Sequence, residues 1–215
     1  MGKYKISVVR YFGKILTMIK VLNSSDIQLI NEMVSLYKVT FPKSFQNLLG
    51  DDYIYQSIKW YTINQKKRQI IIYQDKGKVI GFLSMKNTND EDKFSFYIFR
   101  ELLISLIRKP WLLINSIFIR KLYSMIANNN SKPIFKDCLE LITIGVIPSH
   151  HKKGVGEYLL NYFYSFAKKN DIQKAILYVK NTNETAIRFY NKRGWRDTSV
   201  NYNNYLCFEK NINCD

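Results

Sequence analysis

The stretch from 145 to 156, which reads Gly-Val-Ile-Pro-Ser-His-His-Lys-Lys-Gly-Val-Gly, constrains the fold of this chain most strongly. It follows an apolar run at 139–144 and leads into a helical pattern at 157–168. This order predicts a strand, then a tight turn, then the beginning of a helix.

The glycines and lysines of this turn indicate what it binds. The first backbone N–H groups of a helix have no partner inside the helix, and the helix dipole is positive at that end. Without a Cβ atom, Gly154 and Gly156 let a ligand approach the backbone closely. Lys152 and Lys153 add positive charge beside them. The stretch therefore predicts an anion-binding turn that suits phosphate or pyrophosphate.

Composition agrees with a folded protein that has anionic partners. The chain has 215 residues, 47% of them hydrophobic, which is enough for a sizeable core. Its formal net charge is +16. A balance this basic favours nucleotide phosphates, nucleic acid or an acidic membrane surface, and charge alone does not choose among them.

Hydrophobic patterning along the rest of the chain predicts one mixed α/β domain without internal repeats. A helix should start at a capping box formed by Ser25 and Gln28, and another at the N-cap Asn183, with Gly194 ending it. The remaining predicted elements are a short strand at 18–22, short helices at 44–50 and 53–64, a hairpin at 69–73 and 79–85, strands at 138–146 and 174–179, a helix at 155–170, and closing strands at 195–200 and 205–208.

The cysteines do not support a metal site or a disulfide framework. Cys138, Cys207 and Cys214 form no Cys-x-x-Cys pair, and only His150 and His151 could complete a ligand set. Residues 1–16 make a poor secretory signal, because charges interrupt the apolar run. We expect a cytoplasmic protein that uses no metal.

Two coupled motifs carry a family resemblance. The segment 141–156 resembles motif A of the GCN5-related N-acetyltransferase (GNAT) family, and 183–195 resembles its motif B, in the same order and at a similar separation. The resemblance implies a single domain at 18–215 that follows an N-terminal extension at 1–17. It also implies a mostly antiparallel sheet flanked by helices, splayed between the fourth and fifth strands, with a helical insertion at 94–125 before the fourth strand.

The resemblance assigns a role to each candidate site residue, with acetyl-CoA as cosubstrate. Tyr190 would protonate the leaving thiolate, and Glu140 matches the general base of some members. Asn183 would bind the cofactor arm. The strand edge and turn that would hold the pantetheine and pyrophosphate comprise Ile144, Val146, His151, Lys152, Lys153, Gly154, Val155 and Gly156. His151 departs from the family pattern, which has Gln or Arg at this point.

Each of these roles has a structural alternative. Tyr190 could be a core aromatic residue, and Glu140 could be a paired strand carboxylate. The insertion at 94–125 could be a lid, a homodimer face or a wall of the acceptor pocket. It could also be a basic amphipathic surface that rests on an anionic membrane, since it lacks the ~18 uninterrupted apolar residues of a spanning helix.

The expected activity is direct transfer of an acetyl group to a primary amine in a ternary complex. A loose similarity to acetyltransferases of bacterial surface-polysaccharide pathways suggests an amino sugar or a nucleotide-linked amino sugar as acceptor. A protein or peptide amine is the alternative acceptor, and a non-catalytic module that binds CoA or an anion is the alternative class. Nucleic-acid binding is the less favoured use of the charge.

Overall fold

The computed structural model describes residues 7–11, 14–91, 94–116, 118–120, 123, 135–202 and 204–212. The described strands form one sheet in the order β1-β2-β3-β4-β5-β6-β8-β7. These strands are β1 Ser7–Tyr11, β2 Lys14–Val21, β3 Arg68–Asp75, β4 Lys78–Asn87, β5 Cys138–Val146, β6 Lys174–Lys180, β7 Arg196–Tyr202 and β8 Tyr205–Asn211. Neighbouring strands are antiparallel except β5 and β6, which are parallel. The sheet confirms the predicted mixed, mostly antiparallel fold.

Helices cover both faces of this sheet. They are α1 Ile27–Thr40, α2 Phe45–Leu49, α3 Asp51–Ile63, α4 Phe94–Arg108, α5 Val155–Lys169 and α6 Glu184–Asn191, with short 3₁₀ helices at Pro110–Ile114 and Pro148–His150. One core cluster joins α5 and α6 to the sheet, around fully buried Leu159 and Phe163. A second cluster joins α1 and α3 to the opposite face, around Ile30, Ile54 and Phe82. The central strands are therefore buried on both faces, which explains why β3 reads as an apolar run.

Two local predictions at the beginning of the chain need correction. The predicted capping box of Ser25 and Gln28 is wrong, because α1 has Asp26 at its N-cap and no side-chain cap bond. The Asp26 carboxylate instead accepts a hydrogen bond from the Asn23 N–H at 3.0 Å. The strand predicted at 18–22 begins earlier, at Lys14, and β1 pairs with it.

The insertion packs against α2 and α3. Ile98 of α4 and Leu112 of the following 3₁₀ helix are buried in a third core cluster with Leu49 and Tyr53. Pro110 begins that 3₁₀ helix, where the sequence predicts the start of a second helix. Residues 117, 121, 122 and 124–125 of the predicted insertion lie outside the described part of the chain, as does Cys214.

Candidate active site

The most distinctive feature near the turn at 152–156 is an open strand edge on β5. Strands β5 and β6 pair over four positions only, from Cys138 opposite Lys174 to Leu141 opposite Leu177. On its other side β5 continues to pair with β4 as far as Val146. The strands therefore splay apart after Leu141, as the sequence predicted for the fourth and fifth strands of the family fold.

The polar groups of Ile144 and Val146 point into this gap. The Ile147 N–H donates to Ile80 O at 2.9 Å, so residue 147 is directed towards β4. Because backbone polar groups alternate sides along a strand, those of residues 146 and 144 are directed the other way. An extended ligand could pair with this edge as an added strand does.

One register irregularity adds to the shape of this edge. Ser84 lies opposite Thr143, but Met85 lies opposite Leu141, so Ile142 is an extra residue in β5. Such a bulge bends the strand and redirects the groups that follow it. The sequence carries no clear signal for this bulge.

The turn between β5 and α5 has the conformation that an anion cradle needs. Gly154 caps α5 in the left-handed region, at φ 80° and ψ −5°, and Lys152 is also left-handed at φ 61°. The Gly154 carbonyl accepts from the N–H groups of Glu157 at 2.9 Å and Tyr158 at 3.1 Å, which begins the helix. The N–H groups just before these two have no acceptor within the helix. The exposed Lys152 and Lys153 flank them, as predicted.

Gly156 allows close packing between α5 and α6. A Cβ at this position would lie 3.3 Å from the Phe189 ring of α6 and 4.0 Å from Ile144 Cδ1. The missing side chain therefore lets α6 approach the first turn of α5. In this way the second motif is held beside the open edge.

His151 closes the turn onto the strand. Its Nε2 lies 2.8 Å from the Val146 carbonyl oxygen, so this nitrogen carries the proton and donates. The neighbouring His150 instead approaches Asp75, at 3.7 Å from its carboxylate. The side chain of His151 thus holds one end of the open edge, a role that the sequence did not predict.

Tyr190 is a buried residue of α6. Its side chain is 5% exposed and packs against Trp195 and Phe189, with ring centroids 5.8 Å and 5.4 Å away. Burial raises the pKa of the Tyr190 hydroxyl, and neighbouring Tyr164 adds to the rise. The hydroxyl is therefore protonated at neutral pH and can donate a proton.

Asn183 caps α6, as the sequence predicted. Its side-chain oxygen accepts a hydrogen bond from the Ala186 N–H at 3.2 Å. The residue is exposed. Its predicted contact with the cofactor stays a prediction.

Glu140 lies on the opposite face of the sheet from Tyr190. It stands opposite Lys86 of β4, which shares the face of Phe82, where α1 and α3 pack. The Glu140 side chain is 5% exposed, so its carboxylate is buried on the face of the sheet that α1 and α3 cover.

Two tyrosines that the sequence analysis missed lie close enough to Glu140 for its charge to affect them. Burial raises the pKa of Tyr61 and of Tyr178, and the negative charge of Glu140 adds to the rise in both. Both hydroxyls therefore stay protonated. Tyr61 comes from α3 and Tyr178 from β6, so only the tertiary fold brings them to Glu140, and no local sequence signal could have found them.

Among the residues described, His, Cys, Asp and Glu side chains form no group of three that could hold a metal ion. Cys138 and Cys207 are buried. Burial raises the pKa of the Cys138 thiol, which keeps it protonated.

Comparison with known families identifies the fold. Residues 30–195 match the model of the acetyltransferase (GNAT) family. The chain belongs to the GNAT acetyltransferase family. It is therefore an N-acetyltransferase that uses acetyl-CoA, as the two motifs predicted. A search of curated proteins found no sequence match.

Solved structures of GNAT-like proteins share the fold at low sequence identity. The PaiA N-acetyltransferase of Thermoplasma acidophilum, in complex with coenzyme A, has 17% identity and a TM-score of 0.57, and the match covers 91% of this chain and 98% of that one. PH1933 of Pyrococcus horikoshii has 19% identity and a TM-score of 0.59, with 91% and 98% covered. The Escherichia coli ribosomal-protein-S18-alanine N-acetyltransferase has 12% identity and a TM-score of 0.57, with 92% and 94% covered.

Proposed function

We propose that this GNAT enzyme transfers an acetyl group to the primary amine of an amino sugar or nucleotide-linked amino sugar, by direct attack in a ternary complex. The observation that carries the proposal is the gap between β5 and β6. It exposes the edge of Ile144 and Val146, with the Gly154 turn at one end, and it opens the sheet between the face that holds Tyr190 and the face that holds Glu140.

The proposed donor site runs along this gap. Acetyl-CoA supplies an acetyl group activated as a thioester. The backbone N–H and C=O groups of Ile144 and the N–H of Val146 would hold its pantetheine amides, and Asn183 would bind the arm from α6. The N–H groups of the turn at 152–156 would hold the pyrophosphate, with help from the charges of Lys152 and Lys153.

Glu140 is proposed as the general base. A simple alkyl amine has a pKa of roughly 10.4, so it must lose a proton before it can attack. The Glu140 carboxylate, directly or through one water, would take that proton. The protonated hydroxyls of Tyr61 and Tyr178 would then orient the carboxylate and contact the acceptor from two different elements.

Tyr190 is proposed as the general acid. When the amine nitrogen bonds to the carbonyl carbon, the carbon–sulfur bond breaks and the sulfur leaves as a thiolate. The Tyr190 hydroxyl is protonated at neutral pH and would donate its proton to that sulfur. Its burial makes it a weaker acid than an exposed tyrosine.

The acceptor class is supported by charge and by the enclosing helices. The net charge of +16 suits the phosphates of a nucleotide-linked sugar. The aromatic and hydroxyl groups of Tyr61 and Tyr178 suit the faces and hydroxyls of a sugar ring.

A turnover screen tests the proposal. Purified enzyme is mixed with acetyl-CoA and, in separate wells, with amino sugars, nucleotide-linked amino sugars, polyamines and peptides, and thiol release is followed. We expect release with an amino sugar or its nucleotide-linked form. Thiol release with peptides alone would contradict the proposed amino-sugar acceptor. Release with none of the amines would contradict all of these acceptor classes.

Matched variants test the two residue roles. Glu140→Gln should lower kcat by about 10²–10⁴-fold, as for a lost general base. Glu209→Gln, which changes another carboxylate on the sheet, should leave kcat unchanged. Tyr190→Phe should lower kcat with little change in the KM for acetyl-CoA, whereas the buried control Tyr53→Phe should not. If a variant and its control have the same kcat, the role assigned to that residue is refuted.

A further inference from the structure

The insertion is firmly attached to the domain through one face. Ile98 and Ser105 of α4 are 4% and 6% exposed, and Leu102 and Leu106 pack against the same cluster. Lys109, which follows α4, donates hydrogen bonds from its Nζ to the carbonyl oxygens of Leu48 at 3.3 Å and Leu49 at 3.2 Å. These contacts set the insertion in one orientation on α2 and α3, so it is not a loosely hinged lid.

On the opposite face of α4, a line of large apolar side chains is exposed to solvent. Phe99, Leu103 and Ile107 follow each other at four-residue spacing, which places them on one side of the helix. They are 55%, 44% and 80% exposed. Next along the chain, Trp111 is 58% exposed and Ile114 is 81% exposed. These five residues are called the apolar ridge below.

An apolar ridge of this size needs a partner. Single exposed apolar residues are normal, but contiguous large patches on a monomer mark sites that bind proteins or membranes. The domain's own core cannot cover the ridge, because α4 already uses its other face for that purpose.

The charges around the ridge indicate which kind of partner it binds. The segment 94–125 contains five basic residues and one acidic residue, Glu101. The Arg100 side chain is 82% exposed and lies next to the line of the ridge, whereas Glu101 is only 12% exposed and lies against Arg100. Arg120 is also exposed. Arg108 also pairs with the exposed Asp52 of α3. Five basic residues against Glu101 and Asp52 leave a net positive charge around the apolar ridge.

We propose that the apolar ridge, with Arg100 and Arg120, binds the surface of an anionic lipid bilayer. Apolar side chains would enter the boundary between headgroups and acyl chains, and Trp111 has the amphipathic ring that favours this depth. The arginines would contact the lipid phosphates. A second copy of the chain fits less well, because it would bring two positively charged faces together.

This binding is peripheral. Among the residues that the structure describes, no helix combines the length and apolar character needed to cross a membrane. The active-site gap lies on other elements, between β5 and β6, so the proposal does not depend on the acceptor or on the catalytic roles.

Vesicle co-sedimentation tests the proposal with the full-length chain. The protein is spun with vesicles of phosphatidylcholine alone, and with vesicles that also contain phosphatidylglycerol as about a third of the lipid, at two salt concentrations. We expect pelleting with the anionic vesicles, little pelleting with the neutral ones, and weaker pelleting at high salt. The variant with Arg100→Gln and Arg120→Gln should partition about 25-fold less strongly, at about fivefold for each arginine.

Apolar variants with a matched control complete the test. Ile107→Ser with Ile114→Ser should lose most of the pelleting. The control with Ile27→Ser and Val39→Ser, which changes two exposed apolar residues of α1 at 60% and 61% exposure, should pellet like wild type. An unchanged melting temperature and CoA binding show that each variant is folded.

Three results would overturn the proposal. The first is a protein that stays in the supernatant with all vesicles. The second is equal pelleting of the ridge and control variants. The third is a concentration-dependent dimer, seen by analytical ultracentrifugation, that the ridge variant abolishes. That dimer would assign the ridge to a second copy of the chain.

Discussion

Replacing Gly154 with alanine tests the anion-binding turn at a position where the backbone conformation favours glycine. Gly154 caps α5 at φ 80°, a conformation that residues with a Cβ adopt only at a cost. A Cβ added here would have ordinary contact with Tyr158, at 3.7 Å from its Cε2 atom. Space is therefore available, and the expected penalty is conformational.

The size of that penalty follows from the left-handed region itself. A non-glycine residue there costs about 1–2 kcal/mol, so Gly154→Ala should lower the free energy of unfolding by that amount. For a domain of this length the melting temperature should fall by about 2–8 °C. The turn can relieve the cost by leaving the left-handed region, which would misdirect the N–H groups before α5. CoA binding should then weaken by at least about tenfold, as for the loss of one charge-assisted hydrogen bond.

Gly77 supplies a matched control. It has φ 78° in the turn between β3 and β4, and a Cβ there would meet no atom within 4 Å. Gly77→Ala should therefore lower stability by a similar amount and leave CoA affinity unchanged. Melting is followed by circular dichroism without ligand, and CoA affinity by calorimetry below the melting range. If Gly154→Ala binds CoA like wild type, or if both variants lose affinity equally, the reasoning about this turn is wrong.

Two further predictions follow from contacts near the site and near α1. His151→Ala removes the donor to Val146 O. The lost hydrogen bond is worth about 1 kcal/mol, so the variant should raise the KM for acetyl-CoA several-fold, while His150→Ala should not. Equal KM values for the two variants in steady-state assays would contradict this role of His151. Burial alone would raise the pKa of Asp26, but a backbone N–H donor and the Lys20 ammonium hold it below its usual range. A depressed pKa adds stability above the unfolded value of 3.8 that is lost as pH falls through the folded pKa. Thermal melts should therefore show Asp26→Asn less stable than wild type at neutral pH and equal to it in strong acid, and a constant difference at all pH values would refute the linkage.

The turn and its helix could be predicted from sequence because their signals are local. A glycine at 154, an apolar strand before it and helical periodicity after it each act within a few residues, and α5 begins at Val155 as expected. The N-cap at Asn183 is equally local, and its cap bond is present. The local signal at Ser25 gave a wrong prediction, because the N-cap of α1 is Asp26. The Asp26 carboxylate binds Asn23 and Lys20 and does not cap the helix.

The rest of the site depends on contacts between distant parts of the chain. The bulge at Ile142 arises from how β5 pairs with β4, and the splay arises from where β5 stops pairing with β6. The charge of Glu140 affects Tyr61 and Tyr178 only because α3 and β6 pack near β5. Periodicity within one element cannot encode such register, so the motifs predicted the turn and its helix but not the surroundings of Glu140.

Hydrogen–deuterium exchange, resolved amide by amide with and without CoA, tests the donor site most directly. The account predicts that CoA slows exchange at the N–H groups of 152–156 and at those of Ile144 and Val146, and leaves the turn at Gly77 unchanged. Unchanged exchange at the first two sets under saturating CoA, or slowing confined to other parts of the chain, would contradict the account.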